Sequence, residues 1–408
     1  MRRQRGCRRG NAGRLHHAGQ TGGRHWRGKQ IAPGLARPGE SDKIQAIISH
    51  RPALTERRQA PPTAPPVPLD RQHALAEFVA ARCAASGARV EPASADASFR
   101  RYFRIRFDDG RPSRIVMDAP PEHEDCAPFV RAAALLGACG VNVPRVLEAD
   151  LAGGFLLLTD LGTRTYLSAL NADGASADRL YRDAIDALVR MQAHAAAAGL
   201  PPYDRTLLMR EMELLPVWYI ERHRGHVLTD ADRATLASAF GLLADAALAQ
   251  PQVFVHRDYH SRNLMVCSAD EGTGANPGIL DFQDAVRGPI TYDLVSLLRD
   301  AYVEWPEERL LDWAIRYWEA ARAAALPVDP SFADFYRAFE WMGLQRHLKV
   351  LGIFARLYHR DAKDQYLGDL PLVLRYVRRT CVRYAAFAGL LRLLDRVEGV
   401  APGTGYTF

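Results

Sequence analysis

The sequence predicts an α+β protein of two unequal lobes, a small strand-rich lobe followed by a larger helical one. Three observations carry that expectation. Short apolar segments bounded by turn residues crowd into residues 89–158. Long apolar stripes at helical spacing dominate after Gly162. The change of character falls at one place, Thr159-Asp160-Leu161-Gly162. The 408 residues are 48% hydrophobic and 25% charged, enough to bury a sizeable core. No apolar run approaches the roughly 18 residues a membrane-spanning helix needs, so no membrane partner is expected. The six cysteines are scattered without a C-x-x-C pair, which argues against a zinc site or disulfide framework and points to a reducing, cytoplasmic setting.

The elements follow in order. Residues 1–69 read as a disordered basic leader ending in a proline-stiffened linker, Ala60-Pro61-Pro62-Thr63-Ala64-Pro65-Pro66-Val67-Pro68. The net charge of +6 belongs to this end: residues 1–66 carry 14 Lys+Arg and 3 Asp+Glu, a balance of +11, and residues 67–408 carry −5. The basic character is therefore read as a dispensable leader, with the body starting near Val67 or Leu69, and no nucleic-acid partner is expected. The small lobe spans 70–158. A helix starts at Asp70 as N-cap, shows Leu75, Phe78, Val79 and Cys83 on one face, and stops at Gly87. Strands are expected at 102–107 and 113–117 around the turn Asp108-Asp109-Gly110, then an alanine-rich helix at 127–139, then apolar strands at 143–147 and 155–158. Residues 159–162 form the hinge, and 163–408 the helical lobe. Its helices are expected at 176–198, 230–249, 291–303, 306–325, 331–359 and 370–395, with strand signals only at 253–255, 264–266 and 279–280.

The chemistry concentrates in Val253-Phe254-Val255-His256-Arg257-Asp258-Tyr259-His260-Ser261-Arg262-Asn263-Leu264-Met265-Val266, where two apolar triplets flank a polar loop. Twenty-three residues after Asp258, a second short strand ends in Asp281, within Ile279-Leu280-Asp281-Phe282-Gln283-Asp284. A carboxylate in a loop, an amide five residues on and a second carboxylate after a strand are the parts that phosphoryl transfer uses: a base for the acceptor hydroxyl, and oxygen ligands for Mg²⁺ on nucleotide phosphates. Each residue alone has a plainer reading, Asp258 and Asn263 as turn formers, His256 as a loop brace and Asp293 as an ordinary helix cap; the joint spacing overrides it for Asp258, Asn263 and Asp281. His256, Asp258 and His260 also spell a metallohydrolase-like H-x-D-x-H, but no further histidine follows near Asp281.

These motifs resemble the aminoglycoside phosphotransferase/choline kinase family, which has the protein-kinase-like fold. Its H-x-D-x-x-x-x-N and (I/L)-D-(F/W) signatures are met at His256, Asp258, Asn263 and Asp281, and its G-P-x-x-Y-D-L segment at Gly288-Pro289-Ile290-Thr291-Tyr292-Asp293-Leu294. Within it, Ser98-Phe99-Arg100-Arg101-Tyr102-Phe103-Arg104, Ile115-Val116-Met117-Asp118-Ala119-Pro120-Pro121 and Leu280-Asp281-Phe282-Gln283-Asp284-Ala285 are most similar to the anomeric kinases of bacterial cell-wall recycling. The resemblance implies ATP and Mg²⁺, Asp258 as catalytic base, Asn263 and Asp281 as metal ligands, backbone of Thr159 and Leu161 at the nucleotide base, and Asp293 as a buttress of the catalytic loop. It implies a small-molecule sugar acceptor, with aminoglycosides, choline or homoserine as the alternative; the chain is expected to be a monomer.

One departure bears on activity. Kinases carry a lysine on the third strand, where Met117 stands, and this chain has no lysine between Lys43 and Lys349. The partner glutamate is also missing from helix 127–139. Either an arginine takes over, with Ser98, Arg101 and Arg104 expected at the phosphates and Arg114 as a further candidate, or the protein binds nucleotide without transferring phosphate. The intact base and metal ligands favour an active enzyme. For the acceptor, Arg346 and Lys349 share a helix face that would suit a substrate carboxylate, whereas a polycationic aminoglycoside would want acids, for which Glu211, Glu213 and Glu340 are available.

Overall fold

The computed structural model describes residues 69–83, 88–95 and 99–400, so Ser98, Cys7 and most of the expected leader lie outside the described residues. Helix α1 (Leu69–Cys83) is followed by strands β1 (Ala88–Ala95), β2 (Arg101–Phe107) and β3 (Arg114–Asp118), helix α2 (Ala127–Ala138), and strands β4 (Val146–Asp150) and β5 (Phe155–Thr159). The strands form one antiparallel sheet in the order β1-β2-β3-β5-β4. The expected strand at 143–147 starts three residues later, beyond Pro144, which has no N–H for a ladder.

Alternation gives the sheet two different faces. Ile105, Val116, Phe155 and Leu157 pack with Phe78, Val79 and Cys83 of α1. Met117, Leu156 and Leu158 belong to the larger core with Phe129, Ala132 and Leu136 of α2. On the α1 side, the buried Asp118 carboxylate accepts from Arg71 Nε at 2.8 Å and pairs with Arg101, while Arg71 also donates to the Gly153 carbonyl at 2.7 Å. Two guanidiniums thus neutralise one buried charge and pin α1 to the sheet.

Beyond the hinge come α3 (Tyr166–Ala172), α4 (Ala177–His194), α5 (Arg205–Met212), a π-type turn at Leu215–His223, and α6 (Asp230–Leu248). The strands β6 (Gln252–Val255), β7 (Leu264–Met265), β8 (Gly278–Ile279) and β9 (Val286–Pro289) pair as β6 with β9 and β7 with β8. Helices α7 (Tyr292–Leu298), α8 (Glu307–Ala323), α9 (Phe332–Asp361), α10 (Leu370–Arg383) and α11 (Ala388–Glu398) complete the lobe. α6 starts with a capping box: Thr229 Oγ1 accepts from the Asp232 N–H, and Asp232 accepts from the Thr229 N–H. Two expected helices are shorter than their apolar patterns. The 291–303 helix ends at Leu298, and Arg299 turns its side chain to the buried Glu340 at 2.7 Å. The 370–395 helix breaks at Tyr384, whose hydroxyl donates to the same Glu340 at 2.7 Å. Both breaks fall at residues whose side chains reach one buried carboxylate, tertiary contacts that periodicity does not show.

No helix among the described residues is long and apolar enough to cross a membrane, and their five cysteines are buried and free. α9 runs through the middle of the lobe, against the π-type turn, α6, α7 and α10. Gly352 makes the first of these approaches possible, because a Cβ there would lie 2.4 Å from the Leu214 carbonyl carbon. Gly352→Ala is therefore expected to destabilise the protein by about 1–3 kcal/mol, read as a lower urea midpoint; an unchanged midpoint would contradict this packing.

Candidate active site

The loop between β6 and β7 is shaped from below. Asp293, fully buried at the start of α7, accepts the backbone N–H of His256 at 2.7 Å and of Arg257 at 2.9 Å, one on each carboxylate oxygen. Burial pushes its carboxyl up to about 7, against the opposing pull of these two donors. Arg257 is left at φ 80°, a conformation that non-glycine residues rarely hold without such support. His256 is fully buried, and desolvation lowers its imidazole to about 4, so it is neutral and its Nδ1 accepts from the Asp258 N–H at 3.3 Å. The ring therefore braces the loop. Among the described residues no group of three His, Cys, Asp or Glu side chains is placed to hold a metal, which leaves the H-x-D-x-H alternative without a site.

A buried ionic network lies under the same loop. Glu211 of α5 accepts from Arg257 at 2.5 Å and Lys349 at 3.0 Å, and the Tyr203 hydroxyl donates to its other oxygen. Arg346 donates to the Arg257 carbonyl at 2.8 Å and to the Tyr292 hydroxyl at 3.1 Å, and Lys349 donates to that hydroxyl at 3.1 Å. Burial alone would raise Glu211, but Lys349 and Arg257 outweigh it and hold the carboxyl below its usual range. Arg346 and Lys349 thus do share a face, yet it is turned inward, their side chains being 8% exposed. The expectation that they meet a substrate carboxylate gives way to a supporting role, because both are committed to Glu211, Tyr292 and the loop backbone. Glu213 is exposed at the end of α5 and does not line the cleft.

Asp258 stands above this network with its carboxylate 3.8 Å from Arg346 Nη2. Burial would raise it, but Arg346 first, then Lys349, His260 and Arg257, hold it below the ordinary carboxylate range, so it is ionised at neutral pH. Asn263 turns its Nδ2 to the Asp258 carbonyl at 3.0 Å and to Asp281 Oδ2 at 3.1 Å. Gln283 Nε2 holds Asp281 Oδ1 at 2.7 Å, and Asp281 sits at φ 65°. Strand pairing of β7 with β8 brings these two motifs together, with the Leu280 N–H donating to the Asn263 carbonyl at 2.9 Å. The amide and carboxylate oxygens there are the hard donors that Mg²⁺ prefers.

Asp258, Asn263 and Asp281 open on a cleft of about 710 Å³, whose opposite wall carries Tyr102, Ile115 and Leu158 of the sheet and Thr159, Asp160 and Leu161. The arginines expected at the phosphates have other partners. Arg101 pairs in register with Asp118 on the α1 face and is bound there. Arg114, partnered with Ile105, lies on that same face. Arg104 is on the cleft face, but its guanidinium grips Asp160 at 2.6 and 3.1 Å and the Gly162 carbonyl at 2.8 Å. Ser113 and the Gly162 N–H also donate to Asp160, and together these donors outweigh its burial and keep it ionised. Arg104 is a latch between strand and hinge. Met117 is fully buried in the core with the apolar side chains of α2.

Three residues that the sequence did not single out complete the wall beside Asp258: Arg262, Tyr302 and Tyr366. Only Arg262 carried a signal, its place inside the loop motif. The loop geometry makes a measurable claim. Asp293→Asn places an N–H against one of two backbone N–H donors, and amide hydrogen exchange at His256 and Arg257 is expected to quicken by about tenfold or more; unchanged protection would show that Asp293 does not hold the loop.

Residues 89–328 match the profile of the phosphotransferase enzyme family. The N-acetylmuramate/N-acetylglucosamine kinase of Pseudomonas aeruginosa is 51% identical over 307 residues, covering 75% of this chain and 88% of that protein. The protein of the same name from Neisseria meningitidis serogroup B is 50% identical over 319 residues, covering 78% and 93%. The ethanolamine kinase of Plasmodium vivax aligns in structure with a TM-score of 0.53 at 9% identity, covering 90% of this chain and 99% of that one, a likeness of fold alone. Since the family match runs from β1 past Asp281 and Asp293, this chain belongs to the phosphotransferase enzyme family.

Proposed function

We propose that this phosphotransferase uses ATP with Mg²⁺ to phosphorylate an amino sugar, N-acetylmuramate or N-acetylglucosamine, at its anomeric hydroxyl. The observation that carries the reaction type is the meeting of Asp258 with the Asn263–Asp281 pair in one cleft, across 18 residues of sequence between the last two. The sugar class rests on relatives about half identical over most of their length.

The nucleotide base would sit between Ile115, Leu158 and Met265, against the backbone of Thr159 and Leu161. Asn263 and Asp281 would hold Mg²⁺, whose charge offsets that of the phosphate oxygens. Asp258, ionised and held in place through its own backbone, orients the acceptor hydroxyl and accepts its proton as the oxygen bonds to the γ-phosphorus. The bond from that phosphorus to the bridging oxygen of ADP breaks. With Met117 on the third strand, no lysine reaches the phosphates from the sheet.

Asp258→Asn is expected to lower kcat by roughly 10²–10⁴-fold while nucleotide affinity changes little, checked by coupled turnover assays and calorimetric titration. Full activity of that variant would remove Asp258 from the reaction. An acceptor panel with labelled ATP tests the sugar: transfer to N-acetylmuramate or N-acetylglucosamine is expected, transfer only to kanamycin-like cations or to choline would overturn the substrate, and ATP binding without any transfer would overturn the enzyme reading.

A further inference from the structure

Two arginines line the cleft, Arg104 and Arg262. Arg104 is saturated by Asp160 and Gly162. Arg262 is not. Its guanidinium donates no hydrogen bond among the described residues, and its one ion-pair neighbour, Asp369, stands at 3.8 Å, beyond hydrogen-bond distance. The side chain is nevertheless positioned. It lies over the Tyr302 ring at 3.7 Å from the centroid and near the Tyr366 ring at 5.4 Å, with 35% of its surface open. Two aromatic faces hold a planar cation and leave its N–H edge available.

We propose that Arg262 is the residue that recognises a carboxylate on the acceptor and so sets preference between an acidic and a neutral amino sugar. The inference rests on the amino-sugar reading above and assigns a role within it. Position decides between the two anions that could enter the cleft. Arg262 is four residues beyond Asp258, on the wall built by Tyr302 after α7 and by Tyr366 in the turn Asp364–Asp369. The nucleotide wall is the opposite one, the sheet and hinge. Asn263, next in sequence, points the other way, to Asp281. N-acetylmuramate differs from N-acetylglucosamine by an O-linked lactyl group whose carboxylate is its one negative charge. With the anomeric hydroxyl at Asp258, the ring extends along the tyrosine wall and brings that carboxylate to a fork of N–H donors. Arg257, Arg346 and Lys349, the other fixed cations near Asp258, are occupied by Glu211 and Tyr292.

The test compares kcat/KM for the two sugars in the full-length enzyme and in Arg262→Gln. Loss of a charge-assisted, bidentate contact is worth roughly 10- to 100-fold, so the fall on N-acetylmuramate is expected to exceed the fall on N-acetylglucosamine by about tenfold or more, with Arg262→Lys recovering part of the difference. Equal losses on both sugars, the result if Arg262 served the γ-phosphate or only the loop's shape, would overturn the proposal. A substrate-side comparison needs no variant: the methyl ester of N-acetylmuramate should lose about tenfold or more against the free acid on the wild-type enzyme, and an ester used as well as the acid would also overturn it. If neither sugar is phosphorylated by the wild-type protein, the amino-sugar reading itself fails, an outcome distinct from an unaltered ratio.

Discussion

One carboxylate under one loop sets the geometry on which the cleft depends. Asp293 takes the N–H groups of two consecutive residues, His256 and Arg257, and thereby forces the left-handed turn that lifts Asp258 toward solvent. A buried acid is costly unless it is satisfied, and these two donors satisfy it. The rest follows from that turn. Arg257, turned downward, meets Glu211; Glu211 draws in Lys349; Arg346 reaches the Arg257 carbonyl and stays within 3.8 Å of Asp258. The positive charges sit beneath Asp258 rather than in the cleft above it. Their effect is to keep Asp258 ionised without occupying the space above it.

The meeting of the loop with Asn263 and Asp281 was legible in the sequence because their spacing is local. Asp258 and Asn263 are fixed by spacing within one turn, and Asp281 by a two-residue strand that pairs with β7. The lobes and most helices were legible for the same reason, since periodicity over ten or more residues is a local property. What was not legible was direction. Arg346 and Lys349 show that two cations on one helix face can be read as a pair but not as inward or outward when the helix, like α9, is packed on several sides. Arg101, Arg104 and Arg114 were candidates for one task until the sheet's register set Arg101 and Arg114 on the α1 face and gave Arg104 to Asp160. Arg262 was passed over because its value comes from Tyr302 and Tyr366, which lie 40 and 104 positions away in the sequence.

Charge in this cleft is also unevenly shared between the lobes. The sheet offers it one cation, Arg104, already neutralised by the hinge. The helical lobe supplies Asp258, Asp281, the Asn263 amide and the remaining arginine. Recognition of a phosphate-bearing ligand would thus depend on the helical lobe, and the sheet would act chiefly as an apolar roof.

That division has a pharmacological consequence at Met117. In protein kinases an ion pair between a third-strand lysine and a helix glutamate must be in place at the nucleotide. Here the strand presents a fully buried thioether, and α2 carries no acidic residue. A compound relying on that ion pair would find nothing to hold in this protein.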